Sequence, residues 1–591
     1  MVAEEPVSRN EWLALAAILL LALVLRVIGL NAQLWYDEIL TLTDFVRKPY
    51  GELVGDFSSL NNHMFYSLQA RASMLVFGES AWALRLPAML YGVASLVVLW
   101  LIGREAAGRR AALLAVLLLA ISYHHVWFSQ NARGYTALLF WTSLATLLLA
   151  RGLRTPRLSL WTGYAVCVAA AMYTHLSAGF FFAAHALVYV VVWLRGQRDW
   201  RPVYGFVLGG LLTMLLHLPL YAQVLKAMNV VSSGKTSSAM AEWVNPLRTL
   251  REITASLDSF GPLAPLALGG ALLLVGLGIN AMRRRAPVIV AVYLLSIPMA
   301  LALLVALDFR IWPRYFFVDI GFVFLCVAAG AVALADWLAA RIGRPNLANA
   351  LLVAGTLVMV AASSLLLVRN YARPKQDFAG ALALIAAQRA PDDVATSIGL
   401  ASAPLKSYLA PGWPGIATEA DLNALDKQGT WIVTAFDDHV LAGQEATMAR
   451  IAREYNLAAS FDGTLGGGTV KVYRKTGEAE LKETSKGNRP MPRRSFSAAS
   501  IRSSTTMPAA TPSSPSYTTL LAPASRRSPG RRHVPGSSAT GCAACTSTSP
   551  SKRCACSKIS SRSASATTST TGRMKSAMTR SGWPTPSMST C

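Results

Sequence analysis

Apolar runs of roughly 20 residues recur along most of this chain, the length a helix needs to cross the ~30 Å hydrocarbon core of a bilayer. They fall near residues 12–30, 84–102, 111–123, 136–150, 160–174, 177–194, 203–225, 262–282, 287–307, 315–338 and 349–368. Backbone inside hydrocarbon must satisfy its own N–H and C=O groups, so spanning runs without period-two alternation read as helices. The expected fold is therefore mainly α, a polytopic transmembrane helical bundle of about eleven spans. A soluble globular chain is excluded, because only 15% of the residues are charged, against about 25% in such proteins. Trp12 to Leu30 reads as a retained first helix rather than a signal peptide, since no small-residue cleavage pattern follows it.

The connecting loops test that count. Arg104, Arg109 and Arg110 lie in one loop, and Arg151, Arg154 and Arg157 in the next but one. Arg195, Arg198 and Arg201, then Arg283-Arg284-Arg285, then Arg341 and Arg344 continue the alternation. The positive-inside rule assigns these five loops to the cytoplasm. Loops 31–83, 124–135, 226–261 and 308–314, and everything after residue 370, then face outward. Cys167 and Cys326 fall within spans, where a thiol is a small hydrophobe.

Residues 1–373 are thus expected to form the membrane domain, and 374–476 a small extracytoplasmic α/β domain. In the latter, Asp377 to Arg389 is amphipathic, with Phe378, Ala381, Leu382 and Ile385 on one face. Segments 430–435 and 469–473 read as strands, with a helix at about 442–455 between them.

The formal charge of +24 needs dissecting. Residues 489–591 hold 15 basic and no acidic residues, leaving 40 basic and 31 acidic residues, a net +9, on the rest. The basicity therefore argues for no nucleic-acid partner. Ser and Thr supply 40 of those 103 residues, a composition that buries too little apolar surface to fold. The expectation for 477–591 is a disordered basic Ser/Thr-rich tail. Such a mixture suits contact with anionic lipid, and it equally matches an out-of-frame translation of GC-rich coding DNA. Cys542-x-x-Cys545 and Cys554-x-Cys556 lack the folded context of a zinc site.

Polar residues held near membrane spans are where chemistry is expected. Trp35-Tyr36-Asp37-Glu38 follows the first span, and its carboxylates could supply a general base near the bilayer surface. Ser129-Gln130-Asn131-Ala132-Arg133-Gly134-Tyr135, preceded by His124 and His125, occupies the second outward loop. Arg133 there needs an anionic partner, and a lipid phosphate is one. Adjacent histidines rarely converge on one ion from a helix, so His124-His125 carries no metal site. Tyr173-Thr174-His175, Arg310 with Arg314-Tyr315, and Asn61-Asn62-His63 with Tyr66 and Arg85 lie at outward ends too. All are expected on one side of the membrane, suiting a ligand with an anionic head and an apolar tail. Ser233-Gly234-Lys235-Thr236 only imitates the end of a phosphate loop, because Asn229 stands where the first glycine is required.

In this order, Trp35-Tyr36-Asp37-Glu38, Asn61-Asn62-His63-x-x-Tyr66-Ser67-Leu68, Ala83-Leu84-Arg85-Leu86-Pro87, Ser129 to Tyr135, Tyr173-Thr174-His175 and Arg314-Tyr315 form a pattern. It resembles the bacterial family 39/83-like membrane glycosyltransferases of the GT-C superfamily, relatives of the protein O-mannosyltransferases and the lipid A aminoarabinose transferase. The likeness covers roughly residues 10–475. It implies a GT-C-type bundle in the bacterial cytoplasmic (inner) membrane that transfers one sugar, with inversion, from a polyprenyl-phosphate donor to a lipid, glycan or protein acceptor at the outer face. It further implies Asp37 as general base, with Glu38 orienting it or binding acceptor. Arg133, with Arg85 or Arg314, would hold the leaving phosphate, and His63, Tyr66, Tyr135, His175 and Tyr315 would complete the substrate-binding set. No cofactor is required on this reading; a divalent metal is compatible with it but not needed. The chain departs from relatives at Met64, where they read His-Pro, and at Asn131, where they carry an acid. The competing class is a transporter or flippase of a lipid-linked sugar. That function calls for mid-span charges and internal repeats, and the sequence shows neither.

Overall fold

The computed structural model describes residues 6–232, 246, 261–309, 311–427, 429–436 and 443–475. Arg310, the 233–236 segment, the cysteine pairs near the C-terminus and the Ser/Thr-rich stretch lie outside the described residues.

Every one of the eleven apolar runs folds as helix. In chain order the helices are α1 (Arg9–Val27), α2 (Tyr36–Leu40), α3 (Tyr50–Leu53), α4 (Met64–Phe77), α5 (Ala81–Ala107), α6 (Arg109–Ala120), α7 (Tyr123–Ser129), α8 (Tyr135–Arg154), α9 (Leu158–Thr174), α10 (Ala178–Leu194), α11 (Arg201–His217) and α12 (Tyr221–Ser232). After them come α13 (Ala264–Met282), α14 (Pro287–Ala306), α15 (Ile320–Ile342) and α16 (Asn346–Ala372). Among the described residues, eight helical segments are long and apolar enough to cross a membrane, or nine if α6 and α7, bent by 61°, make one span. The 17-residue helices α9 and α10 are apolar but shorter. The protein is a multi-pass membrane protein, with Leu211, Met214, Leu266, Leu272, Leu357 and Leu365 left on its outer surface, where lipid is the only solvent that tolerates them.

Two expected loops are more ordered than their polarity suggests. The 124–135 segment opens with helix α7, because His125 and Val126 are buried and tie it to the bundle. The 31–83 segment holds α2, a π-helical turn at Thr41–Val46, α3 and α4. Helix packing relies on small residues. A Cβ on Gly278 would lie 2.0 Å from the Cys326 carbonyl oxygen, and one on Gly330 would lie 1.9 Å from that of Leu274. Helices α13 and α15 therefore cross backbone against backbone.

The basic ends converge physically. Glu105 accepts from Arg151 at 2.5 Å and from Arg154, while Arg285 donates to the carbonyls of Glu105 and Arg104. Arg110 pairs with Asp336 at 2.9 Å, and Arg104 with the buried Glu11 at 3.0 Å. Interior charge is also present, which the sequence reading did not single out. Arg26 in α1 is fully buried and donates to Ser129 Oγ, His125 Nδ1 and the carbonyls of Ala22 and Ala120. With Nδ1 accepting from Arg26, His125 Nε2 is the protonated nitrogen and donates to Ser95 Oγ at 3.0 Å.

From Phe378 onward the chain builds a five-stranded sheet of order β2-β1-β3-β5-β4, comprising β1 (Ala395–Ile398), β2 (Gly415–Ile416), β3 (Trp431–Ala435), β4 (Asn456–Phe461) and β5 (Val470–Arg474). β1 pairs in parallel with β2 and β3, whereas β5 runs antiparallel to β3 and β4. Helix α17 (Phe378–Gln388) sets Phe378, Ala381 and Ile385 against Trp431, Val433 and Val472. On the opposite face Ile398, Ile416 and Ile432 meet Leu422, Ile451 and Tyr455. Short strands β1, β2 and β4 escape sequence reading because four residues or fewer, or an exposed run, give no alternation.

Candidate active site

The site sits where α2, the α7–α8 junction, the start of α4, the end of α9 and the segment before α15 come together. It is best built from the Ser129–Tyr135 stretch, since every residue there has a separate physical task. Ser129 Oγ accepts from Arg26 at 3.1 Å. Gln130 Nε2 donates to the Leu25, Arg26 and Ile28 carbonyls that α1 leaves unpaired at its C-terminus. Asn131 Oδ1 accepts from the Trp35 indole at 3.0 Å, and the Ala132 N–H donates to Glu38 at 2.7 Å. Arg133 donates to the Asn61 carbonyl at 2.7 Å and to the Asn61 side chain. The Gly134 N–H donates to His63 Nδ1 at 2.9 Å. Tyr135 packs edge-on to His63, with ring centres 4.9 Å apart, and lies under Arg133 at 5.9 Å.

Gly134 has no room for a side chain. A Cβ would lie 2.6 Å from Thr174 Cγ2 and 2.9 Å from His63 Nδ1. Gly134→Ala should therefore push His63 off its backbone donor and destabilise the folded protein by about 1 kcal/mol or more, the worth of the lost hydrogen bond. Thermal unfolding in one detergent checks this, and an unchanged midpoint would mean that the Gly134–His63 contact carries no stability.

The two adjacent carboxylates have separate environments. Asp37 is partly open, its side chain 15% exposed, with Arg133 Nη2 at 3.9 Å and Arg314 Nη1 at 3.8 Å. Neither distance is a hydrogen bond. Glu38 is sealed. Its Oε1 accepts from Arg85 Nε at 2.7 Å and from Ala132 N–H, with Lys375 Nζ at 3.5 Å. Its Oε2 accepts from Arg85 Nη2 at 2.6 Å and from the Trp35 N–H at 3.4 Å. Burial alone would raise its pKa, but Arg85 and then Lys375 hold it down at about 2.

His63 and His175 stack edge-on, 4.7 Å apart, and Tyr315 meets His175 at 5.7 Å. Burial first, and then Arg133, keep both imidazoles neutral, His63 well below its ordinary value and His175 at about 3. Since Nδ1 of His63 accepts, its Nε2 carries the proton. That Nε2–H and the Arg133 Nε–H are buried without a hydrogen-bond partner among the described residues.

The structure thus brings Asp37, His63, Arg133, Tyr135, His175, Arg314 and Tyr315 together, and corrects three expectations. Arg85 is spent on Glu38 and on the carbonyls of Leu30, Ala32 and Gln33. All five of its N–H donors are used, so none remains for a phosphate. Tyr66 is fully buried, and its hydroxyl is spent on the Leu84 carbonyl, to which it donates at 2.6 Å. Glu38, with no exposed surface, cannot bind acceptor; it braces the loop that carries Asp37. Lys375 was missed, although its place one residue beyond Pro374, just after the last span, was a usable signal. No group of three or more His, Cys, Asp or Glu able to hold a metal ion occurs among the described residues.

A search of curated proteins gives no match. Among solved structures the chain is similar to ArnT from Cupriavidus metallidurans bound to undecaprenyl phosphate, at 14% identity and a TM-score of 0.45 over 80% of this chain and 99% of that one. It is also similar to the oligosaccharyltransferase of Archaeoglobus fulgidus, at 14% identity and 0.45 over 78% of this chain and 73% of that one. Residues 64–222 match the dolichyl-phosphate-mannose-protein mannosyltransferase family. That stretch carries Arg133, Tyr135 and His175, while Asp37 and His63 precede it and Arg314 follows. The likeness to GT-C membrane glycosyltransferases carried by the sequence motifs is thus met, over residues 64–222, by a match to the dolichyl-phosphate-mannose-protein mannosyltransferase family.

Proposed function

We propose that the protein is a membrane glycosyltransferase that moves one monosaccharide from a polyprenyl-phosphate donor to an acceptor hydroxyl or amine, on a lipid, glycan or protein, at the outer face of the bacterial cytoplasmic membrane. Residues 1–373, with eleven spans, form the membrane part, and 374–476 the extracytoplasmic α/β domain. The observation that carries the reading is the pair of buried, unpartnered donors, His63 Nε2 and Arg133 Nε, beside an under-coordinated Asp37. Buried polar groups are normally satisfied, and donors left unmet inside a functional cluster await a ligand acceptor.

In the reaction the acceptor oxygen or nitrogen attacks the anomeric carbon while Asp37 takes its proton. The carbon–oxygen bond to phosphate breaks, and its electron pair leaves on the polyprenyl phosphate. Negative charge grows there as the bond lengthens, so Arg133, Arg314 and the His63 Nε2–H favour the transition state over the bound donor. A neutral His63 suits this role, donating without competing for Asp37's proton.

The direct test is transfer in lipid vesicles, reading out release of polyprenyl phosphate from polyprenyl-phosphate sugars. Arg133→Ala should weaken polyprenyl-phosphate binding about 10- to 100-fold, the worth of a charge-assisted hydrogen bond in a buried site. Unchanged affinity would remove Arg133 from the phosphate site.

A further inference from the structure

Between α16 and α17 runs a four-residue strap, Pro374-Lys375-Gln376-Asp377, that joins the membrane helices to the sheet. Its contacts reach both ways. Toward the site, Lys375 Nζ lies 3.5 Å from Glu38 Oε1, donates to the Gln130 carbonyl and sits 5.3 Å above the Trp127 ring. Gln376, fully buried, accepts the Tyr36 N–H at 3.2 Å, and Asp377 lies 3.4 Å from the Gln33 amide. Toward the sheet, the turn between β4 and β5 grips the strap backbone. Thr464 N–H donates to the Pro374 carbonyl at 2.9 Å and Leu465 N–H to that of Lys375 at 3.0 Å. The same turn touches the membrane part through Thr464 Oγ1, which accepts from the Trp127 indole at 3.3 Å. A second bond between the halves is Phe436, just past β3, whose ring meets Tyr36 edge-on at 5.4 Å. Phe436 holds φ at +58°, a sparsely populated value for an aromatic residue.

We propose that Lys375 is a positioning residue for Asp37, and that the α/β domain sets the geometry of the membrane site by holding the strap. Lys375 completes the coordination of Glu38, whose other acceptances fix the Trp35 N–H at the start of α2 and the Ala132 N–H before Arg133. Asp37 is the residue between those braces. Burial draws the Lys375 ammonium well below its ordinary value, to about 7, against the pull of Glu38, and the Gln130 carbonyl fixes where its Nζ sits. Gly463 shows how closely the strap is gripped, since a Cβ there would lie 2.2 Å from the Lys375 carbonyl oxygen and 2.6 Å from its carbon. Backbone cannot yield by that much without moving the strap. The inference rests on the transferase reading, but it also predicts a change that needs no turnover.

Two full-length variants test it, Lys375→Met at the site and Gly463→Val outside it, with Lys375→Arg as the conservative control. For both disruptive variants kcat should fall by about 100-fold, the usual result of misplacing a catalytic group by about 1 Å. Donor KM should stay within about threefold, because Arg133 is held by Asn61 and Arg314 stacks on the Trp312 ring. Lys375→Arg should recover most of kcat. Hydrogen exchange at the Trp35, Tyr36 and Ala132 amides should quicken in Lys375→Met and Gly463→Val alike. Folded variants with unchanged kcat and unchanged exchange would overturn the proposal, as would a lower folded yield with full kcat per folded molecule. Faster exchange with no transferase activity even in the parent protein would instead count against the transferase reading alone.

Discussion

On the transferase reading, Asp37→Asn should lower sugar transfer by about 10²- to 10⁴-fold, the range expected when a general base is lost, while polyprenyl-phosphate binding stays the same or tightens slightly. The substitution keeps shape and removes one negative charge from between two arginines at 3.8 and 3.9 Å. Those arginines then lose a competitor for the lipid phosphate, so binding cannot suffer electrostatically. Turnover from polyprenyl-phosphate sugar and a separate lipid-phosphate titration measure the two halves. Normal turnover would remove Asp37 as base, and a parallel loss of binding would make it a structural residue instead.

How much of this site could be read from residues alone follows from the range of the interactions. Period and run length are local, so the apolar helices are visible in sequence. The gathering of polar groups at one set of helix ends is visible for the same reason. Pairing is not local. Glu38 meets partners 47, 94 and 337 residues away, and nothing in the spacing of Trp35-Tyr36-Asp37-Glu38 tells which acid is clamped and which is open. Arg85 carries the same lesson, because a cation beside a span is equally suited to a phosphate or to a carboxylate until its neighbours are known. Arg26 could have been questioned earlier, since a guanidinium inside an apolar run requires polar partners from other helices, and His125 and Ser129 are those partners. Residues 124–129 misled because polar and aromatic side chains resemble a loop, whereas burial of His125 makes them a helix turned by 61°. The strap at 374–377 has no periodicity to betray it.

Glu38→Gln has the opposite outcome from its neighbour, a loss of folded protein rather than of chemistry alone. Removing one partner of a buried ion pair leaves the other charge uncompensated and typically costs about 3–5 kcal/mol. Here two cations face the lost charge, Arg85 at 1% exposure and Lys375 at 11%. An amide can accept at one atom only, so two of the N–H groups of Arg85, Ala132 and Trp35 would confront its NH₂ whichever way it turned. The pH dependence has a definite sign. The Glu38 carboxyl titrates at about 2 in the folded protein, against about 4.3 in an unfolded chain. Its contribution to stability is therefore complete above about pH 4.3 and is lost as pH falls through about 2. Unfolding of the two proteins in one detergent, followed between pH 7 and pH 2, should show a large gap that narrows on the acid side. A gap that stayed constant to pH 2, or a Gln variant as stable as the parent at pH 7, would show that the Glu38–Arg85–Lys375 cluster does not brace the loop carrying Asp37.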